Sequence, residues 1–288
     1  MSATPQVQAF FDQATSTVSY VVHDPETLQA AIIDPVLDFD HRAARTSTGS
    51  ADALLAYVTE HGLVLRWLLE THAHADHLSA AHYIREKTGV TVVIGREIVT
   101  VQKTFAALFE AEDVTPDGSQ FGRLVDEGES LPLGALAIRV LHTPGHTPAC
   151  VTYVIGDSAF VGDTLFMPDY GTARSDFPGG SASALYRSIR RILELPAATR
   201  IFVGHDYLPE GRSEIRWETS VAEQRASNVH IRDGITEAAF VTMRQARDAG
   251  LAAPLLILPA LQVNIRAGAL PPATPGGHIY LKLPVNAI

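Results

Sequence analysis

The sequence predicts an α/β fold. Short β-branched runs alternate with helical stretches along most of its 288 residues, the pattern expected when helices cover a sheet. Apolar residues make up 46% of the chain and charged residues 19%, which supplies a large core and gives no sign of disorder.

Strands are predicted at residues 19–22, 30–33, 64–69, 91–94, 137–141, 151–155, 159–161 and 200–203, each short and bounded by turn residues. Gly156-Asp157 between two of them predicts an antiparallel hairpin. The polar stretch 38–50 has no apolar period and is expected to be a long loop. Leu54, Leu55 and Val58 make the stripe of a helix that ends at His61-Gly62. Leu185, Ile189, Ile192 and Leu193 recur at i, i+4, i+7 and i+8, with Ser181 or Ser183 as N-cap. From about residue 214 the character changes to two helical stretches, with Phe240 and Met243 at core spacing, and then a Pro-rich run over 254–284. We expect a main domain over 1–213 and a helical, Pro-rich extension over 214–288 packed on it.

The formal charge of −10 argues against a nucleic-acid partner, which needs a basic footprint. It also means that an anionic substrate requires a local basic cluster, because the global field repels it. A single cysteine, Cys150, excludes an intrachain disulfide framework and fits a reducing compartment. The N-terminal stretch has no basic segment followed by an apolar one, and no window approaches the ~18 apolar residues of a membrane span. The expectation is a soluble cytoplasmic protein with no membrane partner.

The sharpest signal is Thr71-His72-Ala73-His74-Ala75-Asp76-His77, directly after the apolar run 64–69. Alternate residues of an extended segment share a face, so His72, His74 and Asp76 are expected to point one way, with His77 starting the turn into a helix near Leu78. Neutral imidazole suits zinc and iron, and carboxylate compensates charge. Three more segments deliver a ligand-type side chain from a strand into a Gly-containing turn: Thr143-Pro144-Gly145-His146-Thr147, Gly162-Asp163-Thr164 and Gly204-His205-Asp206-Tyr207. Strand ends are where sheets place their ligand sites.

HxHxDH, TPGHT, GDTLF and GHDY, in this order over residues 7–228, resemble the metallo-β-lactamase superfamily, specifically its glutathione-handling branch of glyoxalase II-type hydrolases and persulfide dioxygenases. The resemblance implies an αββα four-layer sandwich with metal at one edge and a C-terminal extension. A hydrolase of the branch would hold two metals, zinc among the candidates. One would sit on His72, His74 and His146, the other on Asp76, His77 and His205, with Asp163 bridging. A dioxygenase would hold one Fe(II) per chain on His72, His146 and Asp163, leaving room for persulfide sulfur and O2. His74, Asp76, His77 and His205 would then orient ligands and waters.

The segment 171–177 looks like the GxxRxDF of the dioxygenases, and TPGHTPAC resembles their TPGHTxGC, with Ala149 in place of glycine. The loop 38–50, the stretch 217–225 and the stretch 258–264 look like a bacterial subgroup described as persulfide dioxygenases or β-lactamase-like hydrolases. The expected reaction is oxidation of glutathione persulfide by O2 to sulfite and glutathione, with thioester hydrolysis as the alternative. The expected partners are small thiol or persulfide molecules, and a second copy of the chain by family likeness. Arg174 and Tyr207 are the expected substrate contacts, with a surface ion pair to Asp169 or Asp176 as the other role for Arg174 and simple packing as the other role for Tyr207. His142 is expected to be structural or to orient a ligand rather than to ligate, Cys150 is expected to be a buried inert thiol, and Asp34 a shaper of a turn near the site. His23, His41, His61, His82, His230 and His278 belong to no motif and receive no role.

Overall fold

The structure is a computed structural model that describes residues 4–287. The first half opens with three antiparallel strands, β1 (Gln6–Asp12), β2 (Thr17–His23) and β3 (Gln29–Ile33). Then come β4 (Val36–Asp40), β5 (Arg45–Ser47), α1 (Gly49–Glu60), β6 (Val64–Leu69), β7 (Leu78–Ser79), α2 (Ala81–Thr88), β8 (Thr91–Gly95), α3 (Ile98–Leu108) and β9 (Arg123–Val125). Strands β1, β2, β3, β6, β8 and β9 lie in that order in one sheet, and β3, β6, β8 and β9 run parallel. The second half contributes β10 (Ser130–Leu133), β11 (Leu136–His142), β12 (Val151–Ile155), β13 (Ser158–Phe160), α4 (Ala182–Ile192), β14 (Arg200–Phe202), β15 (Glu218–Ser220), α5 (Val221–Ser227), α6 (Glu237–Asp248) and α7 (Ile257–Asn264). Its six strands form the second sheet in chain order.

Three apolar clusters define four layers. Val21, Ala30 and Ile32 of the first sheet meet α1, α2, α3 and α7, whereas Tyr20, Val22, Ala31 and Ile33 face Ile138, Val140, Tyr153 and Phe202 of the second sheet. The period of two along β2 and β3 thus sorts alternate side chains to opposite faces. The far face of the second sheet buries Leu185, Ile189 and Ile192 of α4 with Phe240 of α6. Each such buried side chain stabilises the fold by about 1.5–3 kcal/mol before entropy is counted. Layers run helix, sheet, sheet, helix, the αββα sandwich the resemblance implied. No helix among the described residues is long and apolar enough to cross a membrane.

Local expectations held where a strong pattern stood. Ser181, rather than Ser183, caps α4 by accepting from Ala184 N, and the hairpin at Gly156-Asp157 joins β12 to β13. The stretch 38–50 departs from expectation. It holds the β4–β5 hairpin and the first turn of α1, and β4 pairs with β7. Its side chains are largely exposed, so no apolar period marked it, and Asp38 instead accepts from Ser50 N and Ser50 Oγ to start the helix. The helix expected near Leu78 begins at Ala81, because Leu78 and Ser79 are taken as β7. Beyond residue 214, β15 closes the second sheet against β14, α6 packs on α4, and α7 lies against β7. Within the Pro-rich run, α7 was not expected. Pro259 sits in its first turn, where a missing N–H costs nothing.

Candidate metal centre

The ends of four strands meet at one edge of the sandwich. His72, His74, Asp76 and His77 follow β6, His146 lies between β11 and β12, Asp163 stands in a 3-10 turn after β13, and His205 follows β14. Backbone bonds stitch these ends together: Val151 N donates to Thr71 O, and Gly204 N to Gly162 O. Two glycines let them approach. A Cβ at Gly145 (φ +140) would lie 2.2 Å from Leu185 N, and one at Gly204 would lie 2.8 Å from Asp163 Oδ1.

Potential ligand atoms of His72, His146 and Asp163 lie within 4.8 Å of one another, and so do those of His74, Asp76, His77 and His205. Asp163 faces both groups. Its Oδ2 is 3.8 Å from His146 Nε2 and 4.0 Å from His72 Nε2, while Oδ1 is 3.3 Å from His205 Nε2. His205 Nε2 is also 3.0 Å from Asp76 Oδ2.

Outer hydrogen bonds aim the rings. His77, His146 and His205 donate from Nδ1 to Leu78 O, Arg174 O and Ser16 O at 3.1, 2.9 and 3.2 Å. A carbonyl only accepts, so Nδ1 carries the proton and Nε2 presents a lone pair inward. His72 Nδ1 donates to Thr71 Oγ1 at 3.0 Å, and that hydroxyl donates onward to Asp34 Oδ2 at 2.8 Å. His74 is turned the other way. Its Nε2 lies 3.1 Å from Asp34 Oδ1 and 3.3 Å from Glu70 Oε2, which leaves Nδ1 for the centre.

Charge follows geometry. Burial and the neighbouring imidazoles hold His72 well below its ordinary pKa, and burial drives His77 down to about 3, so both are neutral at pH 7 and fit to ligate. Burial would lower His205, but Asp163 and Asp76 outweigh it and raise the ring. Burial raises Asp163. Inward-facing atoms left without a hydrogen-bond partner include His72 Nε2, His74 Nδ1, His77 Nε2, Asp76 Oδ2, Asp163 Oδ1 and His205 Nε2. One unsatisfied buried polar group costs about 1–3 kcal/mol. Several converging on one point fit a bound cation, and imidazole with carboxylate suits zinc or iron.

All seven residues expected at the centre are brought together here. Sequence reasoning placed Asp34 at a turn near the site without its hydrogen bonds, and missed Asn264 altogether. Asp34 (φ +49) accepts from Thr71 N at 2.7 Å as well as from its hydroxyl. Asn264 of α7 donates from Nδ2 to His74 O and His77 O, each at 2.8 Å, and accepts from Ser79 N at 2.8 Å. One side chain from 190 residues away thus clamps the ligand loop at three points.

A cavity of about 580 Å³ opens over the centre, with Asp76, His146 and Asp163 at its surface. Tyr207 lines it and stacks on His205, ring centroids 5.4 Å apart, and Tyr170 and Phe166 continue the aromatic wall. Arg174 lines it too, but its fork is engaged: Nε and Nη2 reach Asp176 at 2.6 and 2.7 Å, and Nη1 reaches Ala252 O at 2.7 Å. Asp169 pairs with Arg212 instead. His230, given no role from sequence, lines the cavity with Arg244 and Arg247, and only the tertiary structure brings it there. His142 Nε2 bonds Pro148 O, outside both ligand groups. Burial pushes the Cys150 thiol up to about 12.

The fold and centre define the class, and the chain belongs to the metallo-beta-lactamase superfamily, whose family model matches residues 13–205. A probable metallo-hydrolase of Burkholderia pseudomallei (strain 1710b) is 55% identical, over 98% of this chain and 99% of that protein. The mitochondrial persulfide dioxygenase ETHE1 of Mus musculus is 33% identical, over 70% of this chain and 68% of its own length. The crystal structure of ETHE1 from Myxococcus xanthus superposes with a TM-score of 0.73 at 32% identity, covering 92% of this chain and 100% of that one.

Proposed function

We propose that this chain is a mononuclear non-haem Fe(II) persulfide dioxygenase that oxidises glutathione persulfide. The balance is glutathione persulfide + O2 + H2O → glutathione + sulfite + 2 H⁺. The outer sulfur takes three oxygens and gives up four electrons, and the S–S bond breaks to release the thiol. The observation that carries this reading is the set His72, His146 and Asp163, two imidazoles and one carboxylate around a buried point, with His146 and Asp163 open to the cavity. Such a set leaves positions free on a six-coordinate ion. The likeness to ETHE1 proteins supports it.

Bound iron would supply the redox chemistry that joins sulfur to oxygen. The chain's own residues do the rest. Thr71 and Arg174 O fix the His72 and His146 rings so that both Nε2 atoms face Asp163. His205 Nε2 stands 3.3 Å from Asp163 Oδ1 and 3.0 Å from Asp76 Oδ2, which places it on the far side of Asp163 from His72 and His146. Phe166, Tyr170 and Tyr207 form an aromatic wall that keeps bulk water from the sulfur end of a bound substrate.

A second reading, a dinuclear thioesterase of the glyoxalase II type with zinc, draws on the second ligand group and on Asp163 facing both groups. The metallo-hydrolase relative also favours it. Metal analysis joined to an oxygen electrode decides between them. The dioxygenase predicts about one iron per chain and O2 uptake with glutathione persulfide. Two metals per chain, with anaerobic thioester hydrolysis and no O2 uptake on persulfide, would overturn it.

A further inference from the structure

Behind the ligand loop lies a void of about 10 Å³, the space of one small molecule. Ala73 and Ala75, which alternate with His72, His74 and Asp76, form one side of it. Val101 and Phe105 of α3 with Leu261 of α7 form the other, and all five side chains are buried. Among the described residues, the polar side chain on its wall is that of Thr147 alone. Its hydroxyl is already engaged, with Cys150 Sγ at 3.1 Å and Ala149 N at 3.3 Å. A buried water needs about two to four polar partners, and an apolar void without them stays dry and takes apolar guests.

The void is not isolated. Ala75 and Phe177 line both it and the cavity over the metal centre. On the other side, Phe105, Phe177 and Pro178 line both it and a groove of about 570 Å³ beside α3, whose walls include Leu108 and Ile257. Pro178 and Leu251 on the groove are exposed, so it opens to solvent. Phe177 is thus, among the described residues, the side chain common to all three spaces, and its ring stands edge-on to His146 with centroids 5.2 Å apart. Groove, void and cavity make one apolar line that ends beside His146. The wall of Phe166 and Tyr207 stands instead against His205.

We infer that the void is a binding and passage site for a small apolar gas, which enters by the groove beside α3 and reaches the metal centre past Phe177. In the proposed reaction that gas is O2, and the inference rests on that reading for the identity of the gas. Two physical reasons carry it. Transfer of an apolar molecule from water into an apolar space is favourable, so the gas collects where polar groups are absent. A bound persulfide fills the mouth of the main cavity, so the molecule that must meet its sulfur needs a way in that the persulfide does not block. Phe177 is half-buried, and rotation of such a side chain is far faster than turnover, so its ring passes the gas without limiting the rate.

The test uses crystals of the metal-loaded protein pressurised with xenon, an inert apolar probe that occupies dry voids. In the wild type a xenon atom is expected between Ala75, Phe105 and Phe177. Val101→Phe puts a ring into the void and should exclude the xenon, and Val101→Leu is the milder filling if the ring disturbs folding. In the oxygen electrode, the filled variant should show a several-fold higher apparent KM for O2. Its kcat at saturating O2 and its KM for glutathione persulfide should stay near wild type, a split that general loss of structure would not produce. No xenon at the void in the wild type would overturn the inference. So would an unchanged KM for O2 in a variant whose void is filled. Xenon bound at the void of a protein that takes up no O2 would uphold the gas site and overturn only the dioxygenase reading, so the two failures are distinguishable.

Discussion

Replacing Asn264 by alanine tests whether α7 governs the metal loop. The change removes three hydrogen bonds at once, to His74 O, His77 O and Ser79 N, each at 2.8 Å, from a side chain only 4% exposed. Each backbone group left unsatisfied in the interior costs about 1–3 kcal/mol. Three at the low end give about 3 kcal/mol of lost stability in the metal-free protein. Loosening of the loop that carries His72 through His77 should also cost about 10–100-fold in metal affinity, the usual penalty for losing a group that orients ligands. The assay pairs urea unfolding of the metal-free protein with calorimetric titration by zinc. Asn264→Asp keeps the acceptor for Ser79 N but turns a carboxylate toward two carbonyls, so its affinity should fall at least as far. Gln262→Ala on the same helix loses bonds to Leu258 O and Lys282 O, away from the loop, and should bind zinc like wild type. If Asn264→Ala lost stability yet bound zinc as tightly as wild type, the clamp would be packing and nothing more.

Three further outcomes follow from the same geometry. His146→Ala and Asp163→Ala should each purify without iron, as read by metal analysis, because each removes one of three ligands from the proposed set. In the metal-free protein His77 stays neutral down to about pH 3, whereas an unfolded histidine takes up a proton near its ordinary pKa. The unfolded state then binds more protons, so stability falls as pH drops from 7 to 5, by about 2 kcal/mol for this ring. His74 and His205, which are raised, act in the opposite sense, so the comparison is made with His77→Gln. Its urea midpoint should change less between pH 7 and pH 5, and an unchanged slope would refute the assignment. Cys150, buried and raised to about 12, should resist iodoacetamide at pH 8 in the folded protein and react only on unfolding, as followed by mass spectrometry.

Legibility followed the range of the forces involved. The strand at Val64–Leu69 and the ligand-bearing turn after it are local, set by a short apolar run and by turn residues a few positions away. So are the turns at Gly145, Gly162 and Gly204 and the capped stripe of α4. The β4–β5 hairpin escaped because its strands are half exposed and carry no apolar period. Helix α7 escaped because Pro259 reads as a breaker, although the first turn of a helix tolerates proline.

By itself, the sequence determined the ligand chemistry: which imidazoles and carboxylates leave strand ends, and that the sheets form a core to carry them. Tertiary structure alone decided that Asn264 ties down their loop and that His74 groups with Asp76, His77 and His205, whereas the hydrolase resemblance implied that it joins His72 and His146. It also decided that Arg174 is spent on Asp176 while Arg247 and His230 face the cavity. The physical reason is distance along the chain. Ligand type and turn geometry are set within a few residues, whereas the pairing state of a charge depends on whichever groups the completed fold brings within about 4 Å of it.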